Sequence, residues 1–430
     1  MAEQEQSTPR PRRLSPGRIL WAFTLLSLAG IWGLALGYPA LIRALGGAWE
    51  ELDPGWRAHL SPAAAALLDE SLADLDPARL VDVHLHLAGI GTGGSGCEVH
   101  PHMRSWASPV QRMRFELYLS ASGVRDLESA DTQFVDRLVA LVESAPGGGR
   151  YCLLAFDRNH RDDGTVDAGA TEFHVPNDYV WEVCRRSERL IPAVSVHPYR
   201  PDALEELERW AARGVKLVKW LPNAMNIDPA SPRCDAYYAL MREHGMVLLS
   251  HTGLELAVHA EEAQGLGNPL RLRRPLDAGV TVFAAHCASL GDDEDLDQPG
   301  PDRPRVASFE LFARLMGEPA YEGLLFGEIS ATTQVNRIGP PLETLLAEGD
   351  WHGRLVNGSD YPLPALNAVI HLGPLVDGGW LDAEDAEPLA ELYRAHPLAF
   401  DLALKRRLRS SAGGRRFDPE VFLLPPGLEF

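Results

Sequence analysis

The chain has 430 residues, 45% hydrophobic and 23% charged, a globular balance with room for one large domain or two ordinary ones. Its 40 basic against 60 acidic residues give a formal charge of −20, which argues against nucleic acid as a partner, because phosphate binding needs a basic face. Five scattered cysteines (Cys97, Cys152, Cys184, Cys234, Cys287) form no CxxC pair, which argues against a disulfide framework or a structural zinc site.

The first element is an uncharged apolar run, Ile19 to Ile42. At ~1.5 Å rise per residue it is long enough for a roughly 30 Å hydrocarbon core. Arg10, Arg12, Arg13 and Arg18 precede it, and only Arg43 follows closely. The positive-inside rule then predicts a single-pass membrane helix with the large C-terminal part outside the cytoplasm. A cleaved signal peptide is the rival reading, with Ala35-Leu36-Gly37 as a small-residue site. Residues 1–45 are thus expected as tail and anchor, 46–78 as a linker with a helical piece at Pro62–Leu75, and 79–430 as the main folded domain.

From Arg79 onward a short apolar run, a polar loop and an amphipathic stretch recur. The runs are Leu80–Leu87, Tyr151–Phe156, Leu190–Val196, Val215–Leu221, Met246–Ser250, Val280–Ala285, Leu324–Ile329 and Arg354–Gly358. Continuous apolar runs of this length suit strands buried on both faces. Helices are predicted at Asp202–Arg213 and Cys234–His244, each stopped by a glycine, and at Val306–Met316 and Leu342–Glu348. Eight such units in about 330 residues predict a closed (β/α)8 TIM barrel rather than an open sheet. The Gly- and His-rich surplus after the first run, Gly89 to about Val110, is expected on the C-terminal rim.

The chemistry-bearing residues fall at the ends of the runs. Val-Asp-Val-His84-Leu-His86-Leu places two imidazoles on one strand face. His251 ends the fifth run and His286 the sixth, and Asp360 lies just beyond the eighth. Each is expected to share a face with the alternate residues before it: Val247 and Leu249, Val282 and Ala284, Val356 and Gly358. Lys219, near the end of the fourth run, completes the set. An ammonium would repel divalent ions, so Lys219 is either a carbamate that bridges two metals or an unmodified lysine that binds a substrate anion or carbonyl. His197, ending the third run, and Arg337, following the seventh, are candidate substrate contacts. Trp220, Asn223 and Tyr361 flank the ligands, and His100 and His102 read as surface-loop residues.

This pattern, with the phrases GVKLVKWLPN, LLSHTG, FAAHC and NGSDYP, resembles the amidohydrolase superfamily in its amidohydrolase-2 branch, over residues 80 to about 408. The resemblance implies one or two divalent ions of the zinc type held by His84, His86, Lys219, His251, His286 and Asp360. It implies further that Asp360 handles protons. The expected activity is hydrolysis of a C–N or C–O bond (amide, ester or lactone) in a small molecule, with non-oxidative decarboxylation as the alternative. A degenerate metal-binding scaffold is the non-enzymatic alternative, disfavoured because none of the six positions carries an inert residue.

Overall fold

The computed structural model describes residues 37–47, 52–258 and 260–430. The eight apolar runs form eight parallel strands in chain order: β1 (Val81–His86), β2 (Arg150–Leu154), β3 (Leu190–Val194), β4 (Leu217–Trp220), β5 (Val247–His251), β6 (Thr281–Ala285), β7 (Leu325–Glu328) and β8 (Leu355–Val356). Beyond β8 the chain turns back to β1: Asn357 O accepts from Val83 N at 3.0 Å, and Asp360 N donates to His84 O at 2.7 Å. Those bonds close the ring as a TIM barrel requires.

Val83, Leu154, Leu217, Leu249 and Phe283 fill its lower interior, and a second apolar layer joins strands to helices. Full burial of each such side chain stabilises the fold by about 1.5–3 kcal/mol. Leu424, Leu428 and Phe430 plug the N-terminal end of the barrel, and Arg150 Nη1 donates to Phe430 O at 2.8 Å.

The predicted helices are present at Ala203–Ala211, Asp235–Glu243, Ser308–Met316 and Pro340–Ala347. The first two are followed by Gly214 and Gly245 at φ +85° and +60°, a conformation that costs glycine least. Residues 52–78, expected as part of a linker, fold onto the domain. Helix Pro62–Leu72 buries Ala64, Leu67 and Leu68, and Glu391 accepts from the amide and the hydroxyl of Ser61, both at 2.6 Å.

The surplus after β1 is structured. Glu98–Val99 pairs antiparallel with Phe173–His174, and a rim helix follows at Pro109–Ala121. The candidate membrane anchor lies outside the described residues as far as residue 36, and its last residues belong to a helix over 37–46. Among the described residues no helix is long and apolar enough to cross a membrane.

Two local distortions aim the ligands, and both depart from simple alternation. On β1, Asp82 pairs with Tyr151 and Leu85 with Leu153, so the strand carries one extra residue at Val83–His84. Below this bulge Val81 and Val83 fill the interior; above it His84 and His86 face the cavity while Leu85 and Leu87 join the outer layer. Without the extra residue a period of two would turn one of these sets outward. On β6 the expected face is corrected: Phe283 and Ala285 point inward, whereas Val282 and Ala284 pack outward. His286 reaches the cavity because it leaves the strand at φ +60°.

Candidate metal centre and active site

Five strand ends deliver one cluster at the C-terminal mouth of the barrel. His84, His86, Lys219, His251, His286 and Asp360 all line the same cavity. Asp360 Oδ1 stands 3.0 Å from His86 Nε2 and 3.5 Å from His84 Nε2. One donor atom each from His84, His286 and Asp360 fits within a span of 4.8 Å, and all three side chains are buried. Asp360 and His286 both hold φ +60°, strained for non-glycine residues and persistent only where surroundings over-determine the backbone.

What makes the cluster a candidate cation site is how its imidazoles are held from behind. His84 Nδ1 lies 2.9 Å from Glu328 Oε2, His286 Nδ1 lies 2.9 Å from Ser330 Oγ, and His251 Nδ1 lies 3.4 Å from Glu255 Oε2. An acceptor at Nδ1 selects the Nδ1–H tautomer and leaves the Nε2 lone pair facing the cavity, as in metal-binding histidines. Burial lowers the proton affinity of all three well below the ordinary range, with Lys219 adding to the effect at His84 and His251 and Arg337 at His286. They are therefore neutral imidazoles at pH 7. The Nε2 of His251 is buried without any hydrogen-bond partner. An orphaned lone pair inside a set of neutral imidazoles and a carboxylate fits a divalent ion.

Glu328 and Glu255 are functional residues that the sequence reading missed. Glu328 ends β7 as His251 ends β5, a charged residue closing an apolar run, and that signal was available. Its Oε2 also accepts from Ser330 Oγ at 2.7 Å and from His286 N at 3.3 Å. Burial raises its pKa to about 7. Glu255 lies on a loop four residues past His251, where nothing in the sequence distinguishes it.

Lys219 is fully buried, with Nζ 3.1 Å from His84 Nε2. Burial lowers its pKa to about 8, against the opposing pull of Asp360, Glu328 and Glu255. Arg337 is buried beside the cluster; its Nη1 donates to Ser289 Oγ at 3.2 Å, and its Nε has no partner.

His197 is corrected from substrate contact to scaffold. Its Nε2 lies 2.7 Å from Met225 O, its Nδ1 accepts from Tyr199 N at 3.1 Å, and it does not line the cavity. Trp220 donates to Val196 O and Asn223 to Gly253 O, and neither they nor Tyr361 line the cavity. In the inserted loop His102 Nε2 lies 2.8 Å from Glu172 Oε1 beside His100, a second compact set of donors. All five cysteines are free and buried, and burial raises each thiol, to about 12 at Cys97, which leaves no activated nucleophile among them.

The family model described as "Amidohydrolase" matches residues 81–378, from the first residue of β1 to well past β8. The chain belongs to the amidohydrolase family. No curated protein sequence matches it. Similar solved structures include an uncharacterised TIM-barrel protein from Bordetella bronchiseptica, 13% identical, with a TM-score of 0.43 over 75% of this chain and 99% of the other. A putative 2-pyrone-4,6-dicarboxylic acid hydrolase from Pseudomonas putida is 13% identical, with a TM-score of 0.40 over 78% and 96%. An IDCase from Metarhizium anisopliae in apo form is 10% identical, with a TM-score of 0.39 over 76% and 94%. Likeness at this level carries no inference about chemistry.

Proposed function

We propose that this amidohydrolase is a metal-dependent hydrolase that cleaves an amide, ester or lactone. The observation that carries the reading is the set of three neutral imidazoles, each held at Nδ1 and presenting Nε2 to the cavity, with His251 Nε2 unsatisfied. His84, His86, His251, His286 and Asp360 would hold one or two divalent ions of the zinc type. Such an ion polarises a carbonyl and brings the pKa of water to roughly 7. Asp360 accepts the proton of the attacking water on its carboxylate and returns it to the departing nitrogen or oxygen. Arg337 is buried beside the cluster but does not line the cavity, so its part is the positive charge it adds near His251 and His286. Lys219, converted to a carbamate, would add two oxygens to the ligand set.

The alternative to the carbamate is an unmodified Lys219, whose Nζ lies 3.1 Å from His84 Nε2, and it goes with a second reading, non-oxidative decarboxylation around one ion. Elemental analysis, the mass of the Lys219 peptide and a screen of lactones, esters and amides beside carboxylic acids separate the two. Two ions, a carboxylated lysine and cleaved acyl bonds support hydrolysis; one ion, a bare lysine and released carbon dioxide support decarboxylation. Full activity after exhaustive chelation overturns both. From the arginine asymmetry around Ile19–Ile42 we read the domain as tethered outside the cytoplasm. Activity of a C-terminal reporter that works only in the cytoplasm would refute that placement.

A further inference from the structure

We infer that the substrate is an amphiphile: a large apolar body carrying one hydrolysable acyl group. This inference rests on the hydrolase reading and narrows its substrate class. Above the metal-type cluster the cavity spans about 1100 Å3, its open mouth included. Its charged and imidazole side chains are the floor residues His84, His86, Lys219, His251, Glu255, His286 and Asp360. The walls are Met103, Phe115, Phe134, Phe156, Phe173 and further aliphatic side chains. Tyr118 and Ser122 bring the wall's two hydroxyls, and that of Tyr118 donates to Ala257 O at 3.2 Å. Among the described residues no arginine and no second lysine lines the chamber to neutralise a phosphate or a second carboxylate. A sugar, nucleotide or dicarboxylate would surrender hydration to walls that return few hydrogen bonds, whereas an alkyl or polycyclic body gains from the same transfer.

The placement of the chamber points the same way. Rim helix Pro109–Ala121 gives Phe115, Tyr118 and Leu119 to the wall. The same helix carries Ser120, whose hydroxyl bonds to Gly47 O at the end of helix 37–46. That short helix is pinned again where Ala368 N donates to Leu45 O at 2.7 Å and Asn367 Nδ2 to Ala44 O at 3.1 Å. It contains the last residues of the apolar run Ile19–Ile42. Leu41, Trp106 and Val110 are 46%, 65% and 54% exposed, and Tyr38 lies 5.5 Å from the Trp106 ring. The candidate anchor therefore leads directly into the element that braces the chamber, on a side that shows large apolar groups to solvent.

The test uses the full-length, metal-loaded chain and 4-nitrophenyl esters from acetyl to palmitoyl. Each added methylene should raise kcat/KM about threefold to fourfold until the chamber is filled. In parallel, a fluorescent long-chain fatty acid is titrated into chelator-treated protein, a readout that needs no catalysis. Leu119→Arg and Phe173→Arg should each weaken that binding at least tenfold while the metal content of the untreated variants shows that they fold. Presenting the palmitoyl ester in phosphatidylcholine vesicles and, separately, in dilute solution identifies the source, and faster turnover from either supports the amphiphile. Tight probe binding with no acyl cleavage by any substrate upholds the chamber inference and removes the hydrolase reading. Chain-length-independent hydrolysis of small polar lactones or amides, with no probe bound, keeps the hydrolase and overturns the amphiphile.

Discussion

Glu328→Gln is the substitution that most directly tests whether the imidazoles are set from behind. The carboxylate receives four groups: His84 Nδ1 at 2.9 Å, Ser330 Oγ at 2.7 Å and His286 N at 3.3 Å on Oε2, and Ser330 N at 2.5 Å on Oε1. An amide cannot satisfy this arrangement. With its oxygen at the Oε2 position its NH2 confronts the Ser330 amide hydrogen; with the NH2 at Oε2 it confronts three donors. A lost hydrogen bond to a charged acceptor costs about 1.5–3 kcal/mol, and a displaced partner of a metal-binding histidine typically lowers affinity about 10- to 100-fold. Glutamine is nearly isosteric, so the fold should survive and the cost should fall on His84. The expected result is metal affinity, read by competition with a chelating dye, at least tenfold weaker, with kcat reduced and circular dichroism unchanged. A Kd within twofold of the unsubstituted protein would show that Glu328 does not set His84, and the case for the cation site would lose its main support.

Gly358→Ala should be disruptive, because a Cβ there would stand 2.5 Å from Glu328 Oε1 and 2.6 Å from His84 Cβ. Overpacking of this kind costs about 1–3 kcal/mol; a lower Tm with reduced metal content is expected, and an unchanged Tm would contradict it. Deleting residues 424–430 removes Leu424, Leu428 and Phe430 from the barrel floor, with an expected loss of roughly 3 kcal/mol in urea unfolding; a loss below the fitting error would mean that the plug is dispensable. Burial lowers the pKa of His197 to about 3 and that of His396 to about 4. Both stay neutral in the fold but charge near pH 6.5 once unfolded, so stability is full above that value and falls as acid is added. Each such group adds about 1.4 kcal/mol per pH unit to the slope between roughly pH 6 and 4, so His396→Gln should reduce the total slope by about that amount. A slope unaffected by that change would disprove the assignment.

How much of this was legible in the sequence depended on whether a residue's role followed from its place on a strand. The eight runs were readable because strands buried on both faces are apolar throughout, and His251 and Lys219 because they sit in phase with Leu249 and Leu217. His286 was found by the wrong reasoning: alternation predicted an inward Val282 and Ala284, and a left-handed residue, not strand phase, turns the imidazole inward. The bulge in β1 was invisible because Val81, Val83, His84 and His86 satisfy the apolar and ligand patterns separately. His197 failed for a physical reason. Its position matched the other strand ends, yet a backbone carbonyl and a backbone amide lay close enough to take both nitrogens.

Part of the chamber wall was not legible because it belongs to the insertion and the rim helix after it, whereas Phe156 ends the second run of the repeat. Rim helix Pro109–Ala121 starts on a proline with no side-chain cap, and only Phe115 and Ala121 along it are buried. Phe115, Tyr118 and Leu119 face an open cavity instead of a core, so this helix has little of the periodicity of one that holds the fold. The floor behaves in the opposite way. Its ligands stand on β1, β4 and β5 and on the turns after β6 and β8, elements that cannot shift without opening the barrel. Chemistry is thereby tied to the part of the chain under the strictest packing constraint. The inserted loop and the rim helix carry no such constraint, and Met103 on the one and Phe115 on the other line the cavity above the floor.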